Sequence, residues 1–262
     1  ENLEPDWQLS PSGFCAGDRK SLDIHMHLLE SFTVLAQASG KEIHRRRLQE
    51  VIDIILTRMI DPESGCGGNQ YDLDFSPIPA IAIRRTWNAD REGESVETPT
   101  DTTSYGHNIE LAWLLVRACE ILGKPRDAYG DVVRRLVDHS LRYGLDREHG
   151  GVYRDGPHAG PALVRDKEFW QNAEALVGYV DAFEITGNVE YLEAFELVWS
   201  FAHRYMINHA LGEWMTLVSE SGDPIVAGIG NPWKACYHSG RAVWESIRRL
   251  DMLLAGRFGV LG

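Results

Sequence analysis

The stretch SYGHNIELAWLLVRACEILGK (Ser104–Lys124) carries the pattern on which the fold turns. It begins polar, with His107 and Glu110 one helical turn apart, and continues into an apolar run. It closes on Leu122-Gly123-Lys124, a glycine C-cap. The same ending recurs at Ser39-Gly40-Lys41 and Thr186-Gly187-Asn188. Each of the three is followed by a second helix, expected over Glu42–Ile60, Ala128–Tyr143 and Val189–Ile207. Turns rich in Gly or Asn come next, at Ile60–Gly68, Leu145–Gly151 and Ile207–Gly212. The unit is therefore helix, glycine, helix, extended turn, and its starts recur roughly every 65 to 80 residues. A helix carrying Lys234 opens a fourth unit, which brings the expected count to about seven helices.

Helix pairs repeating in this way bury their apolar faces against neighbouring pairs, giving an open solenoid or a closed α/α toroid. The pattern alone leaves closure open. Short hairpin strands are expected at one rim, at Gly151–Arg154 and Glu213–Val218. The polar, Pro-containing stretch Asp72–Thr103 reads as a long loop insertion, and 1–262 as a single all-α domain.

Composition narrows the function. Of the 262 residues 44% are apolar and 25% charged, which places the chain among globular proteins. A net charge of −13 argues against nucleic acid, whose binding draws on Lys and Arg. No run of 18 apolar residues is present, so no membrane span is expected, and a cytoplasmic location is the default. Cys15, Cys66, Cys119 and Cys236 are widely separated and form no CxxC pair, which speaks against a zinc site or a disulfide framework.

Polar groups at helical spacing mark the first helix of every unit. Asp23, His27 and Glu30 fall at i, i+4 and i+7, while His25 points elsewhere. His107 and Glu110 follow on the second, and Trp170 and Glu174 on the third. On the fourth, Lys234, Tyr237, His238 and Arg241 fall at i, i+3, i+4 and i+7 and form one stripe. A lone histidine on an apolar helix is commonly a core residue, but three, each with a charged group a turn away, point to a shared central pocket. His44, His139, His149, His158, His203 and His209 read as surface residues. Trp170 and Trp233 read equally well as core or as flat faces for a sugar ring. No metal is expected, since the HExxH pair is absent and His107 with Glu110 is a half-motif. GxSxG and phosphate-loop patterns are also missing.

The blocks YGHNIELAWLL (Tyr105–Leu115), KEFWQNAEALVG (Lys167–Gly178) and PWKACYHSGRA (Pro232–Ala242) resemble the N-acylglucosamine 2-epimerase superfamily. The resemblance is greatest to its cellobiose 2-epimerases and mannose-epimerizing or mannose-isomerizing members. KSLDIHMHLLESFTVL (Lys20–Leu35) continues the match. The resemblance implies an (α/α)6 barrel acting without a cofactor on the reducing end of an unmodified sugar, as a monomer or homodimer. A full barrel has twelve helices, so the N-terminal part of the family's chain is expected to be missing. By the resemblance His107 and His238 match the general acid/base pair, His27 a third active-site histidine, Glu110 the carboxylate beside the first, and Trp170 and Trp233 sugar-contacting tryptophans. Arg241 closes the last block, and Asp23, Glu174, Lys234 and Tyr237 are supporting candidates. The sequence departs from the family's pattern at Asp23, Phe169, Asn172 and Cys236.

The chemistry so implied is removal of the C2 proton of an opened aldose and its return to the opposite face. Two groups titrating near neutrality suit that task. Return to C1 would give a ketose. Glu110 is expected to orient His107, and Arg241 and Lys234 to stabilise oxyanion charge. Two readings from other classes stand beside it: a glycoside hydrolase or lyase using Glu110 and Glu174, and a non-catalytic sugar- or protein-binding module.

Overall fold

The computed structural model describes residues 20–79, 101–231 and 234–256. Seven α-helices lie among them: α1 (Leu22–Ser39), α2 (Glu42–Arg58), α3 (Tyr105–Leu122), α4 (Gly130–Tyr143), α5 (Phe169–Thr186), α6 (Glu190–Phe201) and α7 (Tyr237–Leu254). The helices α1, α3 and α5 end as expected at Gly40, Gly123 and Gly187, with φ of 62°, 70° and 71°. A residue without Cβ takes that left-handed conformation cheaply, and its N–H returns to a carbonyl of the last turn. The helix α6 stops short of the expected Ile207. Its final turn widens into a π-helical segment at Ala202–Met206, where the Ile207 N–H reaches back five residues to the Ala202 carbonyl.

Patterning sorts these helices into two layers. On α2 and α4 a single stripe is buried: Leu48, Val51, Ile52 and Ile55 on the first, Val133, Leu136, Val137 and Leu141 on the second. Both therefore lie on the outside, paired with α1 and α3, as α6 is with α5. In α3, by contrast, every residue from Asn108 to Val116 is buried, which requires covering on all sides. It packs between α1 and α5, and α5 packs on α7, so α1, α3, α5 and α7 form an inner arc. Small residues allow the close approach: a Cβ on Gly178 of α5 would fall 2.2 Å from Ile109 Cγ2 of α3. The helix α7 is fastened to α5 by a buried bidentate pair, Arg249 to Asp181, with both bonds at 2.8 Å.

Among the described residues the arc is open. Its end helices have an inner neighbour on one side only among those residues, and each shows exposed apolar side chains. Ile24, Val34 and Leu35 are exposed on α1, and Val243, Trp244, Ile247 and Leu254 on α7, with Trp244 at 70%. The fold is thus an incomplete α/α toroid of helix pairs.

Short strands cover one rim: β1 (Lys20–Ser21) with β2 (Gln70–Tyr71), β3 (Thr102–Ser104) with β4 (Asp155–Pro157), β5 (Lys167–Glu168) with β8 (Leu217–Val218) and β9 (Pro224–Val226), and β6 (Ile207–Asn208) with β7 (Glu213–Trp214). Two expectations change. In Gly151–Arg154 only Val152 makes a bridge, to Leu145, and the strand lies one step later in β4. The stretch Glu213–Val218 is split between two sheets, because Met215 N–H turns to Met206 while Thr216 N–H turns to Val226 and Gly228. The expected loop Asp72–Thr103 ends in β3, and its residues 80–100 lie outside the described ones. His139, expected at the surface, is buried beside Leu136 and stacks on Tyr105 at 5.9 Å.

Candidate active site

The N-terminal turns of all four inner helices converge on one place. The extended residues Ser21 and Ser104 precede α1 and α3, and each hydroxyl accepts a backbone N–H, from Ile24 and from His107. These caps set where each helix begins, and so set Asp23 and His27 on α1 and His107 on α3. On α5 the second residue is Trp170, and on α7 the first two are Tyr237 and His238.

The indole of Trp170 stands between two histidines, with ring centroids 4.6 Å from His107 and 5.7 Å from His238. The Nδ1–H of His238 donates to Glu174 Oε1 at 2.7 Å, because a carboxylate can only accept. Its Nε2 then has no hydrogen-bond partner among the described residues and is the nitrogen open to proton exchange. The other oxygen of Glu174 accepts the Trp113 indole N–H at 2.9 Å. Burial opposes ionisation of Glu174, but the bonds from His238 and Arg241 hold its carboxyl below the usual range.

His27 is held differently. Its Nε2 lies 3.2 Å from Asp23 Oδ1 and its Nδ1 3.2 Å from Glu30 Oε2. Two acceptor-only partners require a proton on each ring nitrogen, so His27 is an imidazolium. Burial works against that charge, yet the hydrogen bonds to Asp23 and Glu30 outweigh it and raise His27 to about 10. Among the described residues the His107 ring makes no hydrogen bond; the Asp23 Oδ1 lies 3.6 Å from its Nε2. Burial, reinforced by the nearby His27 and His238, pushes His107 down to about 4 against the pull of Asp23.

Arg241 is the hub beneath these groups. Its Nη2 donates to Glu110 Oε1 at 2.7 Å and to Glu174 Oε1 at 2.8 Å, while Nη1 bonds Glu30 Oε1 and the Tyr237 hydroxyl. The Tyr237 hydroxyl donates in turn to Glu30. Glu110 is fully buried, and that burial, with Glu174 beside it, pushes its carboxyl above the usual range. Ligand atoms of His27, Glu30 and Glu110, and of Glu110, Glu174 and His238, lie within 4.8 Å of one another, spacing that could hold a metal ion. The Arg241 guanidinium already bonds the three carboxylates in these groups, so an ion there would compete with a fixed cation.

The sequence pattern of the N-acylglucosamine 2-epimerase (GlcNAc 2-epimerase) family matches residues 16–242. The chain belongs to this family. It is 27% identical over 253 residues to a cellobiose 2-epimerase from Ruminococcus albus, covering 92% of this chain and 56% of that protein. It is 26% identical over 154 residues to the human N-acylglucosamine 2-epimerase, covering 57% of this chain and 36% of the other. The solved cellobiose 2-epimerase of Spirochaeta thermophila superposes with a TM-score of 0.75 at 27% identity, over 94% of this chain and 56% of that one. The chain therefore spans about half the length of the relatives it matches.

Of the candidates named from sequence, Asp23, His27, His107, Glu110, Trp170, Glu174, Tyr237, His238 and Arg241 of this N-acylglucosamine 2-epimerase family member meet in one site. Trp233 lies outside the described residues. Lys234 is not on the helical stripe: α7 begins three residues later, and Asn231 closes a tight turn onto the Lys234 N–H. Its buried ammonium bonds Glu213 and the Ile229 carbonyl, both at 3.0 Å, over the Phe169 ring. Glu110 does not orient His107; it lies deeper and binds Arg241. Both terminal nitrogens of Arg241 are engaged by carboxylates and its Nε is buried, which leaves it little capacity for oxyanion charge. Glu30 is the site residue missing from the candidate set, although its place one turn beyond His27 was visible in the spacing.

Proposed function

We propose that this chain carries the proton-transfer centre of a sugar 2-epimerase acting on the reducing end of an unmodified aldose or a β-1,4-disaccharide such as cellobiose. The observation that carries the reading is the pair His107 and His238, each with a ring nitrogen that has no hydrogen-bond partner among the described residues and each in ring contact with Trp170. With the sugar ring open, the C1 carbonyl acidifies the C2 proton. One histidine takes that proton, the bonding pair moves into the C1–C2 bond, and charge collects on the carbonyl oxygen. The second histidine, which enters the step protonated on its free ring nitrogen, returns that proton to the opposite face of C2; the epimer forms and the two histidines end with their protonation states exchanged. Each positioned acid/base group of this kind contributes roughly 10²- to 10⁴-fold.

The other groups have supporting parts. His27, clamped as a cation by Asp23 and Glu30, is suited to stabilise the enediolate oxygen, because it carries charge without being able to act as a base. The Trp170 face offers an apolar platform for the C–H side of the sugar. Arg241 holds Glu30, Glu110 and Glu174 in place and serves the site indirectly. Return of the proton to C1 would make a ketose, and the similarity to a D-mannose isomerase from Marinomonas mediterranea, 26% identical over 149 residues, favours testing that outcome too. A hydrolase reading is less well supported. Glu110 and Glu174 are both fully buried and share one guanidinium nitrogen, closer together than the flanking carboxylates of glycosidases.

The test is incubation with cellobiose, mannose and glucose in D₂O, following the C2 proton by NMR. Deuterium at C2 with a new aldose or ketose is the expected result. Binding of a sugar without exchange, by a folded sample supplemented with the remainder of a relative's barrel, would overturn the catalytic reading.

A further inference from the structure

Beneath the Trp170 platform lies a buried ion pair that takes no part in proton transfer. The indole N–H of Trp170 donates to Glu168 Oε2 at 2.5 Å, and the other oxygen, Oε1, lies 2.9 Å from Arg154 Nε. Both charged residues are nearly inaccessible, Glu168 at 2% and Arg154 at 4%. Removing two charges from water is costly, and apolar residues of similar size often serve stability as well or better, so stability alone is a weak reason for such a pair. Its placement supplies another.

Glu168 is the last residue of β5, hydrogen-bonded in register opposite Leu217, and α5 starts at the next position. Arg154 sits where the strand before α3 is fixed: its carbonyl accepts the Tyr105 N–H at 3.3 Å and the Gln171 side-chain N–H at 3.1 Å. The pair therefore ties the start of α5, with Trp170, to the start of α3, with His107. An indole has one hydrogen-bonding group, and here it is anchored to a carboxylate that cannot move without losing its 2.9 Å contact with the buried Arg154.

We propose that Arg154 and Glu168 are positioning residues that fix the Trp170 indole between His107 and His238. This rests on the epimerase reading only for its effect on turnover; the positioning itself is readable without any sugar. Asp155, whose carboxylate oxygen lies 3.6 Å from Arg154 Nε, flanks the pair without touching the indole.

The test uses Glu168→Gln, which preserves volume, and Arg154→Met as a second variant. Aromatic ring currents make the His107 and His238 C–H resonances sensitive to the indole above them. In the folded full chain both variants are expected to shift those resonances and the Trp170 indole N–H signal, while resonances of α2 and α4 stay in place. If turnover is established, KM for the sugar is expected to rise about tenfold, the factor one ordinary hydrogen bond is worth, with kcat nearly unchanged. Adding Trp170→Phe to Glu168→Gln is expected to cost no more than Trp170→Phe alone. Unchanged histidine and indole resonances in a folded Glu168→Gln protein would overturn the proposal, whether or not the chain turns over a sugar.

Discussion

Glu174 Oε1 lies 2.7 Å from His238 Nδ1, and this one contact decides which nitrogen of His238 can act as a base. The Nδ1–H is committed to the protein, which leaves Nε2 as the nitrogen that can take or give a proton. Glu174→Gln keeps the shape but allows the amide N–H to face the ring, which favours the opposite tautomer. Exchange of the sugar C2 proton is expected to fall by about 10²-fold or more, with far-UV circular dichroism unchanged. Full activity in this variant would remove Glu174 from the mechanism.

His107→Ala and His238→Ala should each abolish C2 exchange while leaving the thermal unfolding transition cooperative. Neither ring carries a hydrogen bond that the core depends on more than the single one between His238 and Glu174. A folded variant with exchange intact would rule out its histidine as a proton carrier.

Burial pushes His107 down to about 4, so its neutral, basic form persists well below the usual histidine range. The acid limb of the pH–rate profile for kcat/KM is therefore expected near pH 4 where His107 is the base. Direct titration of the His107 ring by NMR in the sugar-free protein checks the same point.

His27 adds a stability effect of the opposite sign. Its folded value, raised to about 10, lies above the ordinary one of 6.5, so its contribution is complete below pH 6.5 and is lost as pH rises through 10. Asp23, half-exposed, and Glu30 are partly desolvated but held at about 2 by their bonds to His27; they contribute above their ordinary values and lose that contribution as pH falls through 2. Urea unfolding should show a loss of stability between about pH 7 and pH 11 that His27→Gln flattens.

Arg241 is hydrogen-bonded to Glu30, Glu110 and Glu174 at once. Arg241→Met removes that cation and leaves buried carboxylates facing one another, which is expected to cost about 3–5 kcal/mol by chemical denaturation. A loss below 1 kcal/mol would mean that the carboxylates take up protons instead.

The repeat of helix, C-cap glycine, helix and turn was legible because each signal is local. A glycine at φ near 60° ends a helix whatever surrounds it, and an all-apolar run such as Leu111 to Val116 must be covered on every side. Helical spacing likewise placed His27, His107, Trp170 and His238 on the layer that faces inward. Which groups touch was not legible. Glu110 lies one turn from His107 in sequence, yet it binds Arg241, a residue 131 positions away, because burial next to Glu174 demands a cation. Lys234 shares the spacing of the α7 stripe but belongs to a turn closed by Asn231, and the helix start that excludes it depends on Glu213 arriving from another strand. Local propensity and period thus determined the helices, their layer and the face each presents. The pairing of charges, the tautomer of His238 and the cationic state of His27 were decided only by the tertiary structure, since long-range electrostatics and desolvation act between residues that the chain brings together only on folding.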